Sequence, residues 1–578
     1  MRNCLHLLFL LLFAPTLMLA QPEALWGQRF AVSDPIFSFG KNLKFTDMDT
    51  DPAGNVYLVG FHRADLRLGA DTISLPYDGP QTSFLMKIDA DGAVLWQRQF
   101  TMADMKAVQY RDGFVYVAGE IATAEYGPLS IQENAANERR TIFGMGNRDG
   151  FVAKYDATGT LSWVKRYGGP DSEALNKGDH LNDLAVDSQG RIYICGSYHR
   201  AFSLSANISF EESSDRGKTF YLAALDNEGD PIWATNLDSP LPTDGGNAEG
   251  LSLTLNAEEE PAVVMAYSAG GLLIDGEILL NDNQNGDRGS LLVQYDQAGN
   301  RQWLLNIEPL EGLIVPFGLE ADGTGRLYLG FSHEQQVLIG ETDELKYFQE
   351  EDDLLKTGLI CVDPAGTLQW AQTYFCSDAA IDVHPSDGLY LIAAAFRNAV
   401  NLSDDFALDF QGAGSTSLWA RIRSDGTFDW AGKPNTPEGA PFSTSHQITV
   451  DAEGFAYLAA NFNRRLEFPP DIALENGYGS PDFDALYLVQ LSNESPSAST
   501  ALAVRPLKAF PNPSSGTLQV EAPTSMMLVL RNAQGQTVWK RFLPKGTQQV
   551  NFGSLPTGPY WLSGHAEEKL YHCQLMIR

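Results

Sequence analysis

The chain has 578 residues and a formal net charge of -33, with 44% apolar, 11% aromatic and 20% charged residues. That length outgrows one ordinary core unless the chain is built from repeats, and the apolar content excludes a disordered chain. The acidity argues against a nucleic-acid partner, because a surface of this sign repels phosphate backbones. The charge is uneven: residues 507–578 hold seven Lys/Arg against three Asp/Glu, whereas the stretch between residue 20 and residue 507 carries about -38.

In chain order, residues 1–20 carry Arg2 and then an apolar stretch from Leu5 to Ala20, the pattern of a secretory signal peptide cleaved near Ala20. No later stretch approaches the ~18 uninterrupted apolar residues of a spanning helix, so no transmembrane span is expected in the mature chain. Cys195, Cys361, Cys376 and Cys573 show no CxxC spacing, which implies neither a zinc site nor a dense disulfide framework. Buried free thiols are expected, with a Cys361–Cys376 pair as the alternative.

From residue 21 to residue 492 one pattern recurs. A D-x-x-G turn leads to a tryptophan: Asp89 to Gly92 before Trp96, Asp156 to Gly159 before Trp163, Asp226 to Gly229 before Trp233, Asp296 to Gly299 before Trp303, and Asp363 to Gly366 before Trp370. Ser424-Asp425-Gly426 before Trp430 is a shortened copy. Each unit also holds an earlier hairpin, D-x-x-G-x-aliphatic-Tyr, clearest from Asp51 to Tyr57, Asp187 to Tyr193, Asp322 to Tyr328 and Asp451 to Tyr457. Asp caps such a turn and Gly accepts positive φ. The flanking runs, such as Val56-Tyr57-Leu58-Val59, have strand chemistry. Four strands per ~60 to 75 residues predict an all-β repeat in which neighbours supply the missing core.

The seventh copy lacks its tryptophan strand, and Trp26-Gly27-Gln28-Arg29-Phe30 at the other end parallels Trp96-Gln97-Arg98-Gln99-Phe100. The expected fold is therefore a seven-bladed β-propeller closed by an N-terminal strand, followed by a small C-terminal β-sandwich. The repeat resembles the bacterial SBBP-type β-propeller repeat, with Lys87 and Lys154 at its lysine position. That resemblance implies a fold and not an activity.

Residues 493–506 read as a linker. Residues 507–578 resemble the type A C-terminal sorting domain of type IX secretion cargo, through Pro511, Asn512, Pro513 and Gly516, then Gly535, then Leu555, Pro556, Gly558 and Tyr560. The resemblance implies the type IX secretion machinery as partner and an extracellular or cell-surface address.

Site chemistry is sparse: HExxH, G-x-S-x-G and phosphate-loop patterns are absent from the sequence. Asp47, Asp49 and Asp51 form D-x-D-x-D, the candidate calcium ligands, but Pro52 and the lack of a following Glu exclude an EF-hand. Four residues before each turn residue stand Asp47, Lys106, Asp183, Ser252, Gly318, Ala380 and Gln447. Of these, Asp47, Lys106, Asp183 and Gln447 are the candidate ligand-binding residues at a channel mouth. The leading expectation is an exported, non-catalytic binding protein for a glycan or protein. Its long, divergent segments, such as Gly127 to Arg148 and Gln335 to Lys356, would form the variable surface. The alternative is a polysaccharide hydrolase or lyase using the channel carboxylates.

Overall fold

The D-x-x-G segments fold locally because one carboxylate satisfies two backbone donors. In the computed structural model, Asp51 Oδ1 accepts the N–H groups of Ala53 and Asn55 at 3.0 Å each, and the Gly54 N–H returns to the Asp51 carbonyl at 2.9 Å. The same arrangement recurs at Asp89, Asp156, Asp187, Asp226, Asp296, Asp322, Asp363 and Asp451. In the drifted hairpin, Asn256 supplies the acceptor and Glu259 takes the positive φ, at 59°.

The structure describes residues 22–32, 43–68, 71–73, 82–121, 127–145, 148–169, 178–199, 201–210, 217–237, 247–268, 272–274, 277–279, 288–309, 312–334, 336–340, 343–345, 355–374, 376–384, 388–395, 399–403, 406–409, 416–436, 443–476, 485–493, 505–510, 514, 517–522, 526–531, 537–543, 545–553, 555–566 and 569–577. Among them every regular element is a β-strand. The expected leader and most of the expected linker lie outside the described residues, as do Pro511, Asn512, Pro513, Gly516 and Gly535. Two compact units form, Gln21–Ser495 and one containing Pro496–Arg578.

In the first unit the same antiparallel four-strand order repeats along the chain. The first strands are Leu43–Thr50, Ala103–Arg111, His180–Val186, Ala248–Leu255, Ile314–Ala321, Cys376–His384 and Ser443–Val450. Each packs beside the first strand of the next sheet, and Ser443–Val450 packs against Leu43–Thr50. The sheet that begins with Ser443–Val450 takes its fourth strand from Ala24–Val32, which pairs with Ala485–Leu491 in the register Trp26↔Gln490 and Phe30↔Leu486. The outer edge of Ala24–Val32 is extended in turn by Leu66–Leu68.

That last pairing is one case of a wider device. The hairpin Leu129–Gln132/Arg139–Ile142 extends the sheet that ends in Val94–Thr101, and Val337–Ile339/Asp343–Leu345 extends the one that ends in Arg301–Pro309. Both hairpins come from the segments expected to serve as variable surface. Their strands cover the open edge of the preceding sheet, where unpaired N–H and C=O groups would otherwise invite aggregation.

Neighbouring sheets are joined by the two sequence signals acting together. The indole Nε1 of Trp26 donates to the carbonyl of Ala90 (2.7 Å), and Trp96, Trp163, Trp233, Trp303 and Trp370 donate in the same way to Ala157, Asn227, Gln297, Pro364 and Ser424, at 3.0 to 3.1 Å. Every acceptor is in the corresponding turn of the following sheet, and the turn glycine lies against the indole face; the copy expected to be shortened is full-length, Arg423–Gly426, with Arg423 in place of the aspartate. A Cβ built on Gly299 would stand 2.9 Å from Trp233 Cε3 at a φ of 86°.

The second unit has two sheets, one of Thr517–Ala522 with Gly546–Asn551 and Lys508–Phe510, the other built on Met526–Arg531, Gly558–Ala566 and Lys569–Ile577. They share one core that includes Leu518, Val520, Val550, Leu528, Leu562 and Leu575. Tyr560 is buried in it and its hydroxyl donates to the Pro556 carbonyl at 2.9 Å, while Leu555 packs on the same core.

Two stability outcomes follow. Phe30→Ala in the N-terminal strand, where Phe30 is fully buried, should cost about 3 to 5 kcal/mol. Gly299→Ala should cost about 1 kcal/mol or more through the positive φ and the lost approach to Trp233. Urea unfolding followed by tryptophan fluorescence measures both; unchanged midpoints would contradict them.

Candidate functional site

Wherever seven first strands stand side by side, each leaves its inward-facing side chains around a common space. A cavity of about 730 Å³ is lined by residues of all seven, including Asp47, Asp49, Lys106, Gln109, Asp183, Ser252, Gly318, Glu320, Ala380, Asp382 and Gln447. Each first strand also carries a β-bulge, for example between Phe45 and Asp47 and between Leu181 and Asp183. A bulge twists the strand and re-aims its side chains.

Asp47 and five of its predicted equivalents keep one register: Asp47↔Val59, Asp183↔Cys195, Ser252↔Val264, Gly318↔Gly330, Ala380↔Ile392 and Gln447↔Ala459. Lys106 does not. The hairpin after it closes through Arg111↔Phe114 with the two-residue loop Asp112-Gly113, both at positive φ, the geometry of a type I′ turn. That loop is shorter, so Ala107, paired with Ala118, holds the equivalent position and Lys106 falls in the bulge. Lys106 Nζ pairs there with Asp104 (3.0 Å) and lies 3.6 Å from Glu120. Glu120 is also held by Arg148 (2.5 Å) and by His180 Nδ1 (2.9 Å). These partners hold the buried Glu120 carboxyl down to about 2 against the opposing effect of burial, with the His180 hydrogen bond leading and Lys106 next.

Four cavity aspartates bind backbone. Asp47 Oδ2 accepts the Val108 N–H at 2.8 Å, and Asp49 accepts the Tyr110 N–H at 2.7 Å. Asp183 accepts Leu253 N–H (2.8 Å) and Ser252 Oγ–H (3.1 Å), and Asp382 accepts Val450 N–H (2.7 Å). Gln109 does the same for Val186 at 2.6 Å. Every one of these acceptors reaches the first strand of the following sheet. Asp51 takes no part: it holds its own turn, accepts from Tyr57, and pairs with Lys87 at 3.1 Å. The D-x-D-x-D run is therefore divided between the cavity and a hairpin.

Counting four residues back from each turn found Asp47 and Asp183 but not Glu320, Asp382 or Asp49, the last singled out only as a calcium ligand. All three stand two residues before the turn residue, and in a strand that position shares a face with the one four before it. Testing both positions would have found them.

Removal from bulk water raises these carboxyls. It pushes Asp49 up to about 7, and Asp183 and Asp382 to about 6, against the lowering effect of their backbone hydrogen bonds. Asp47 and Glu320 are also raised by burial, then by neighbouring carboxylates, Asp183 for Asp47 and Asp382 for Glu320. The thiols of Cys195, Cys361 and Cys376 are buried and free; burial pushes Cys361 and Cys376 up to about 12.

Residues 508–578 match the family described as "Secretion system C-terminal sorting domain". The tail is a type IX sorting domain. It marks the protein for export to the cell surface or extracellular space, with the type IX machinery as its partner. No curated protein matches the chain in sequence. Among solved structures, the protein is similar to the β-propeller domain of the trilobed protease from Pyrococcus furiosus at 10% identity and a TM-score of 0.38, covering 77% of this chain and 98% of that one. Drosophila semaphorin 2a gives 7% and 0.37, covering 93% and 96%. A rhamnogalacturonan lyase from Bacillus licheniformis gives 11% and 0.29, covering 95% and 91%. At these scores no activity is carried over.

The raised carboxyls set a pH dependence. An unfolded Asp titrates near ~3.9, so a folded value of about 7 for Asp49 means that the folded chain binds the extra proton. Its contribution to stability is present below about 4 and is lost as the pH rises toward 7. Between pH 4 and pH 8 the wild type should therefore lose more stability than Asp49→Asn, which keeps an acceptor for Tyr110. Parallel urea-midpoint profiles for the two chains would contradict this.

Proposed function

We propose that this exported protein is a non-catalytic binding protein: a seven-bladed β-propeller of the SBBP-repeat type, closed by its N-terminal strand and recognising a glycan or protein outside the cell. The carrying observation is that the cavity aspartates with the right chemistry for catalysis are occupied in holding the next strand, as with Asp47 on Val108 and Asp183 on Leu253. Recognition fits the end where the first strands begin. The opposite end carries the D-x-x-G turns and their tryptophans, with Leu25, Leu95 and Ile232 exposed beside them; this end exposes Phe143 (72%), Met145 (57%), Leu355 (43%) and Val315 (40%). Exposed large apolar side chains next to charged ones such as Arg148 and Lys106 suit a binding surface.

The exported chain should bind in a screen of surface polysaccharides, matrix proteins and the producing cells. Phe143→Ser should weaken that binding about tenfold, the effect of losing one well-packed anchor, while Asp47→Asn and Asp183→Asn leave it unchanged. A polysaccharide cleaved by the wild type and spared by Asp183→Asn would instead favour the hydrolase or lyase reading.

A further inference from the structure

One buried cation lacks the counter-ion that its repeat position normally provides. Lys87 and Lys154 occupy equivalent third-strand positions, Lys87 opposite Tyr57 and Lys154 opposite Tyr116. Lys87 is paired with the turn carboxylate Asp51 at 3.1 Å. In the next sheet the shortened Asp112-Gly113 hairpin leaves Arg111 where that aspartate would stand. Lys154 is only 3% exposed and makes no salt bridge among the described residues. Its Nζ lies 4.0 Å from the Phe114 ring centroid and 5.2 Å from that of Tyr116. Burial lowers its basicity, opposed by the charge of Glu228, which moves the group toward the neutral, nucleophilic amine.

That amine is held on one side chain. Lys154 Nζ hydrogen-bonds Asn227 Oδ1 and lies 3.5 Å from the Asn227 carbonyl oxygen. Tyr116 donates its hydroxyl to the same Oδ1 at 3.3 Å, where it polarises the amide C=O and can support an oxyanion. Trp163 Nε1 anchors the Asn227 carbonyl at 3.1 Å, which fixes the turn against the preceding sheet. Amine, amide and phenol are thus brought together across a joint between two sheets, and such fixed proximity replaces a bimolecular encounter.

We infer that Lys154 and Asn227 form an intramolecular isopeptide bond that ties the second sheet covalently to the third. Lys154 Nζ adds to Asn227 Cγ, the Cγ–Nδ2 bond breaks, and a proton passes from Nζ to the departing nitrogen, which leaves as ammonia. Two amino acids yield one secondary amide and ammonia, with no oxidant, metal or cofactor. Tyr116 is the catalytic residue that touches the reacting carbonyl. Lys87, paired with Asp51, is the internal control and stays free.

Mass spectrometry of the exported full-length chain tests this directly. The expected intact mass is lower by one ammonia than that of the mature sequence, and a tryptic digest gives one branched peptide joining Lys154 to Asn227, with no cleavage after Lys154. Asn227→Ala and Lys154→Arg should each restore unbranched peptides, Tyr116→Phe should reduce the branched fraction several-fold, and Lys87 should remain unmodified in all of them. Linear wild-type peptides carrying a free Lys154 and an intact or deamidated Asn227 would overturn the assignment, whether or not any variant folds.

Discussion

The repeat depends on a contact that no single repeat can make. Six of the seven edge tryptophans, all but Trp430, donate the indole N–H to a turn carbonyl one sheet further on, and the ring face receives that turn's glycine. The hydrogen bond contributes on the order of 1 kcal/mol and the ring burial adds more, but the larger consequence is geometric. The turn must keep a positive φ at glycine, the tryptophan must stay at the sheet edge, and the spacing between them must match one sheet width. Trp26 obeys the same rule, which is why a strand from the start of the chain stands beside Ala485–Leu491.

At the inner end the constraint is backbone satisfaction. First strands that lie side by side without a common ladder leave inward N–H groups unpaired, and buried donors must find acceptors. Asp47, Asp49, Gln109, Asp183 and Asp382 supply them across successive joints. The cost is electrostatic, because carboxylates gathered around one cavity repel each other and lose water, as the raised Asp47 and Glu320 show. Acidity concentrated here belongs first to the scaffold, and a functional reading of the cavity has to start from that.

The tail follows a separate logic. Its core is its own, built around Leu528, Leu562 and Leu575, and the Leu555-Pro556 turn is anchored by the hydroxyl of the buried Tyr560. A sorting signal carried on an independently cored unit can be read by the export machinery without disturbing the repeat that it delivers.

Strand chemistry, the period and the missing tryptophan strand were legible in the chain because each depends on local residues: a carboxylate two and four residues from the N–H groups it caps, a glycine at positive φ, apolar alternation. The sorting tail was legible for the same reason, in short turn motifs. What lay beyond the sequence was everything that joins one repeat to the next. Asp183 is separated from its Leu253 partner by a whole repeat, so it read as a free carboxylate. Lys106 slipped by one position because a two-residue loop replaced a longer turn, and the covering role of the hairpins in the long connections appears only when the preceding sheet's open edge is beside them. Local hydrogen-bonding chemistry determined the elements; the tertiary structure alone decided which side chains were already taken, because their partners lie in the neighbouring sheet.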